Sequence, residues 1–174
     1  MQSIPRHPIV DTGPLFDYLL WRFSDSIRNI SAQLTYNLIA KLIYLTDDPS
    51  KKSLQWYFSV AKPITTSPHV ISEIHRHAEQ ALRGLYLKNF WQFAQKELKD
   101  LGLDEKLVEL VHMNGETLSF FGPTDTALLQ IAANSHTQSI FTEDTRLAGQ
   151  CRKREVNVLS ITQATTLWKE YGSR

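Results

Sequence analysis

The chain carries a single cysteine, Cys151, among its 174 residues. No disulfide can form within it, and a fold held by burial in a reducing cytoplasm is the expectation. No stretch is apolar for long enough to cross a bilayer: the segment at 36–45 is interrupted by Lys41 and falls short of the roughly 20 residues a span requires. The N-terminus lacks the continuous apolar core of a signal peptide. Neither sign of charge dominates, with 19 Lys and Arg against 18 Asp and Glu, so a nucleic-acid surface would have to come from local clusters of basic residues. There is no internal repeat and no low-complexity tract. With 42% hydrophobic and 21% charged residues, the composition is that of ordinary globular domains, and disorder and fibrous architectures drop out. One domain over residues 1–174 is long enough to bury its own core.

Along the chain, HPIVDTGPLF at 7–16 runs a short apolar segment into Asp11 and then breaks at Gly13-Pro14. Apolar residues at helical spacing follow in LFDYLLWRF and again over 30–45, which predicts two helices. DDPSKK at 47–52 has the composition of a loop, and 53–60 reads as a short helix or an irregular segment. Residues 64–66 are strand-like, and Ser67-Pro68 is an N-cap with proline at the first helical position. Residues 86–113 read as two helices broken at Leu101-Gly102-Leu103. LSFF at 118–121 is a short β-like run closed by Gly122-Pro123, with Thr124 able to cap the helix DTALLQIAANSH. SIFTED, LAGQCRKRE and VNVLSI then alternate strand, helix and strand before a final helix capped by Thr162. This alternation predicts a three-layer α/β/α fold with a central, mostly parallel sheet and helices on both faces, plus extra helices around 30–60 and 86–113.

In such sheets the binding crevice lies beyond the carboxyl ends of the strands. Asp11 ends the first strand-like segment and Asp144 ends SIFTED; Asp125 opens a helix after a Gly-Pro break. Glu73 lies in the helix after 64–66, from which it can reach the same edge. Asp11 could equally serve as a plain helix cap. Four carboxylates converging on one point repel each other unless a cation neutralises them, and all-oxygen ligation favours Mg²⁺ or Mn²⁺ over zinc. Metal-held water next to a phosphate is the chemistry of phosphodiester hydrolysis.

IVDTGPL, SPHVISEI, GPTDTALLQIA and FTEDTRLA together resemble, in order and in local context, the four acidic motifs of the PIN-domain ribonucleases, a family that includes the VapC-like toxins of bacterial toxin–antitoxin pairs. The resemblance implies that Asp11, Glu73, Asp125 and Asp144 form the acidic metal site, with Thr142 as the hydroxyl that supports it. It also implies a Mg²⁺- or Mn²⁺-dependent endoribonuclease, RNA as substrate and an antitoxin protein as partner, with a homodimer left open. The alternatives are an RNA-processing nuclease without an antitoxin and a catalytically weak PIN fold used as a binding or scaffolding module. The chain departs from the smaller toxins in its spacing, with long segments between Asp11 and Glu73 and between Glu73 and Asp125.

Arg146, Arg152, Lys153 and Arg154 follow the last acid closely and are candidates for holding RNA phosphates, with a solvated helix face as the alternative. Asp17, Asp25, Asp47, Asp48 and Glu79 read as solvated surface. Of Glu143 and Asp144, only one should point into the site, because successive residues of an extended segment face opposite ways. His75 and His77 are two apart on a predicted helix and cannot share a zinc. Tyr86, Phe90, Trp91 and Phe93 read as core or as a surface for a partner helix rather than as base-stacking residues.

Overall fold

The computed structural model describes residues 4–26, 48–82, 84–135 and 139–172. Five short strands, β1 (Ile9–Val10), β2 (Thr65–Thr66), β3 (Asp104–Glu105), β4 (Ile140–Phe141) and β5 (Val158–Leu159), form one sheet in the order β3-β2-β1-β4-β5. All pairs are parallel, with Ile9 opposite both Thr65 and Ile140, and Val10 opposite Phe141. Parallel neighbours need crossovers, and these are supplied by the helices α1 (Thr12–Ser26), α2 (Asp48–Ala61), α3 (Pro68–Ala81), α4 (Leu85–Asp100), α5 (Gly115–Ala133) and α6 (Thr145–Lys153), while α7 (Ile161–Leu167) follows the last strand.

The strand order puts the helices in two layers. From β1 the chain steps outward through β2 to β3; it then returns past β1 to β4 and steps the other way to β5. Right-handed crossovers place α1–α4 on one face of the sheet and α5 and α6 on the other. Within these groups α1 touches α2, α3 and α4, α5 pairs with α6, and α7 returns to pack on α2, while α3 also meets α5. The expected three-layer α/β/α fold is therefore present. The strands are too short to carry the alternating pattern of a half-exposed sheet, and β1 and β4 are wholly buried, as strands covered on both faces must be. The core joins Ile9, Val10, Ile140 and Phe141 to Leu15, Leu19, Tyr57, Phe58 and Phe90.

Several local expectations are corrected. The loop expected over 47–52 is helical from Asp48 onward, so 53–60 is the later part of a longer helix; proline near a helix start costs no hydrogen bond. The helix expected over 30–45 lies outside the described residues, as does Asp47. Residues 86–113 contain one α-helix rather than two: after Leu101 the chain turns through Gly102 into the edge strand β3, and only a three-residue 3-10 turn at Leu110–His112 follows. Gly102 has φ +64, which disfavours any side chain there, and Pro63 packs close beneath it. LSFF at 118–121 is helical rather than strand-like, because the Asn114 side chain accepts from the Thr117 amide at 3.0 Å and starts a helix. The final helix is capped by Ser160, not Thr162, in a reciprocal box with Gln163.

Asp17, read as surface, is buried, since α1 has helices α2, α3 and α4 against it and keeps little solvent face. Tyr86, Phe90, Trp91 and Phe93 turn out to be core-packing residues. Phe90 is fully buried against Phe16 and Phe23, and the others pack partly buried at the edge of the same core. No helix among the described residues is long and apolar enough to cross a membrane.

One buried charge ties α1 to α4. Glu97 accepts two bonds from Arg22, at 3.1 and 3.0 Å, and a third from the Tyr18 hydroxyl at 3.0 Å. Removing the guanidinium would strand a buried carboxylate, a loss that is large for fully buried pairs and smaller here because Arg22 is one-third exposed. Arg22→Ala should destabilise the chain by about 2 kcal/mol in urea unfolding, and adding Glu97→Gln should restore about half of that. Equal midpoints for parent and Arg22→Ala would show that the pair contributes nothing.

Candidate active site

The sheet order reverses direction between β1 and β4, and the crevice beyond their carboxyl ends is where an open α/β sheet collects a site. Asp11 leaves β1 there and Thr142 leaves β4, level with each other because Val10 pairs with Phe141. The Thr142 hydroxyl donates to Asp11 Oδ2 at 2.6 Å, and the Thr12 amide donates to Asp11 Oδ1 at 2.6 Å. Asp11 is also the entry to α1, its carbonyl accepting from the Leu15 amide at 3.3 Å. Asp11 thus stands at the helix entry, and its side chain also borders the cleft formed with the other acids.

The other acids arrive by separate routes. Ser67 caps α3 and sets its direction, and one and a half turns later Glu73 accepts from the Thr12 hydroxyl at 2.8 Å. Asp144 caps α6, its Oδ1 accepting from the amides of Arg146 and Leu147 at 2.7 and 2.8 Å, while its own amide donates to Thr142 Oγ1 at 3.0 Å. Asp125 lies in the first turn after a break in α5: Gly122 takes φ 78, ψ 177, and Pro123 restarts the helix. Asp11, Glu73, Asp125 and Asp144 line one cleft of about 500 Å³.

Their charges act on one another. Asp125 has its carboxyl pushed up to about 7, first by burial and then by the charges of Asp11, Asp144 and Glu73, with Arg146 opposing. Burial also raises Asp11, against the bonds from Thr142 and Thr12 that favour its ionised form. The donor set is all oxygen and carries excess negative charge, which fits a hard divalent cation. Among the described residues, however, no group of three His, Cys, Asp or Glu side chains is arranged to hold one ion. The carboxylates of Asp11, Glu73 and Asp144 each accept from donors on the chain itself. Carboxylate oxygens so bonded retain lone pairs for a metal.

Other expected residues are divided. Arg146 stands at the cleft end of α6. Arg152, Lys153 and Arg154 are exposed at its other end, about 9 Å or more along the axis at 1.5 Å per residue. The basic cluster is therefore two features rather than one. The Glu143 carboxylate accepts from the Ile161 amide at the start of α7, although the residue also borders the cleft. His75 and His77 point to different neighbours, His75 to Glu79 and Trp91, and His77 to a stack on Phe16 at the cleft wall. Cys151 is buried, its thiol pushed up to about 11 by that burial, and is a packing residue.

Sequence reasoning missed Thr12, Arg76 and Phe121, all of which line the cleft. Arg76 carried a signal, since it follows Glu73 by three residues on the same helix; nothing local marked Thr12 as a donor to Glu73. No family model matches the chain, and no curated protein or solved structure matches it.

Between about pH 4 and pH 7 the unfolded chain has lost the Asp125 proton while the folded chain keeps it, so stability falls as pH rises through that window. Asp125→Asn removes this cost. With a chelator present, the variant should melt about 3 °C above the parent at pH 8, after allowance for solvent screening, and at the parent's temperature near pH 4. A variant less stable than the parent at pH 8 would contradict the cost that burial and the neighbouring acids impose on the ionised Asp125.

Proposed function

We propose that this chain is a Mg²⁺- or Mn²⁺-dependent endoribonuclease similar to the PIN-domain ribonucleases, acting as the toxin of a toxin–antitoxin pair. One observation carries the reading: four acids from four separate segments line a single cleft at the point where a parallel sheet reverses its strand order. A protein pays in repulsion for such a cluster, and a divalent cation is the ordinary means of offsetting it.

When bound, the cation would supply charge neutralisation at a phosphate and a water of lowered pKa. The chain's own residues do the rest. Asp11, Glu73, Asp125 and Asp144 would hold the ion, directly or through water. Thr142 and Thr12 orient Asp11 and Glu73 by donating to them, which fixes each carboxylate without adding a charge. In hydrolysis the water oxygen bonds to phosphorus and the bond to the leaving ribose oxygen breaks; a carboxylate accepts the water's proton and solvent returns one to the leaving oxygen. The toxin role rests on the resemblance of the four motifs, and an antitoxin arginine set against the acids would pair with them bidentately.

Three outcomes are expected. Asp11→Asn should lower cleavage of single-stranded RNA by about a hundredfold or more. Millimolar Mn²⁺ should raise the parent's melting temperature by a few degrees, with Asp144→Ala blunting the rise. Expression of the parent alone should arrest growth while Asp125→Asn should not. Cleavage by Asp11→Asn at the parent's rate would remove the nuclease reading. A harmless parent at high expression would leave an RNA-processing nuclease without an antitoxin.

A further inference from the structure

We propose that Phe120 and Phe121, together with Arg146, form a platform on which an unpaired nucleobase stacks beside the acidic cleft, so that the substrate enters as single-stranded RNA. This rests on the nuclease reading of the cleft and adds which part of the substrate the chain grips.

A lone exposed phenylalanine on a protein surface needs no explanation. Here the setting is more specific. Phe121 lies on the cleft wall, and Phe120, 69% exposed, lies beside it with ring centroids 5.5 Å apart. The guanidinium of Arg146 sits 5.5 Å from the centre of one ring and 5.4 Å from the other. Its Nη2 also donates to the Phe120 carbonyl at 2.8 Å. The Gly122 break ends the first half of α5 at these rings, and the second half opens with Asp125 two residues after Pro123. The same arginine donates its amide to Asp144, so the aromatic pair is anchored to two of the four acids through a few bonds.

Aromatic faces joined to a cation are what single-strand-binding grooves use, because every base offers a π-face and every nucleotide a phosphate. In a duplex each base has its faces covered by its neighbours and cannot stack on a protein ring. The other occupant to weigh is a partner protein using Phe120 as an apolar anchor; it would gain nothing from a cation held over both rings next to a phosphate-hydrolysing cleft.

The test uses the full chain with Mn²⁺, a fluorescein-labelled oligouridylate, and the same strand annealed to oligoadenylate. Phe120→Ala should raise KM for the single strand about tenfold and change kcat by less than about twofold. Phe120→Leu should behave like Phe120→Ala, whereas Phe120→Tyr should restore KM; all three should melt with the parent, since the ring is exposed. The annealed duplex should be a poor substrate throughout. Equal KM for parent and Phe120→Ala, or a parent that prefers the duplex, overturns the platform and leaves the nuclease standing. Binding is read separately by anisotropy in Asp125→Asn, which should hold oligouridylate and lose it when Phe120→Ala is added. If the parent cleaves no RNA yet this variant binds the strand through Phe120, the platform stands and the nuclease reading falls. If Asp125→Asn binds no strand, or binds it equally without the ring, the platform is overturned.

Discussion

The hydroxyl of Thr142, 2.6 Å from Asp11 Oδ2, joins the ends of two adjacent parallel strands at the point where the sheet reverses direction. Much of the site can be traced from that bond. Thr142 Oγ1 also accepts from the Asp144 amide, Asp144 caps α6, and capping directs the first turn of α6 so that Arg146 reaches the Phe120 carbonyl. A single hydrogen-bonded chain thus runs from the first strand to the aromatic rim through residues distant in sequence. Because Thr142 donates to one acid while accepting from the backbone of the next, neither acid needs a cationic side chain to fix its position. A cationic partner would have filled the cleft, whereas a hydroxyl leaves it open.

The arrangement has an electrostatic cost that local backbone geometry reduces without removing. The starts of α1 and α6 and the restart of α5 after Gly122 stand at Asp11, Asp144 and Asp125. Each helix start carries about half a positive charge in its free amides, so three of them offset only part of four carboxylates. At Asp125 burial first, and then the charges of Asp11, Asp144 and Glu73, lift the carboxyl to about 7. Stability comes instead from packing within the same layer, where α1 is wrapped by α2, α3 and α4 and pinned by the partly buried Arg22–Glu97 pair.

Asp11 and Asp144 were legible because each follows an apolar run and precedes a helix start, Asp125 because it follows a Gly-Pro break, and Glu73 because its helix starts at a Ser-Pro cap. The same signatures placed β1, β2, β4 and β5 and hence the layering. β3 was not legible, since its two residues are exposed acids with little preference for strand, and pairing with β2 alone makes them one. LSFF misled because a short apolar run does not distinguish helix from strand, and the decision lay outside it, in the Asn114 cap and the Gly122 break. Asp17 read as a surface charge, and its burial depends on helices brought together from far along the chain. The basic cluster after Asp144 read as one feature, but a nine-residue helix has two ends, and only Arg146 is at the end that meets the cleft.

That division bears on how a charged polymer would approach. With Arg152, Lys153 and Arg154 at the far end of α6, the cleft itself offers Arg76 and Arg146 as its nearby cations against four acids, so a polyanion meets net repulsion there unless a divalent ion is present. The distant basic trio can attract a phosphate backbone at longer range, within about 8–10 Å at physiological salt, without neutralising the acids that would hold the metal. In the proposed nuclease, separation along one short helix would let attraction and metal binding coexist. A single merged cluster would have paired its arginines with Asp144 and Asp125 and closed the site to both metal and phosphate.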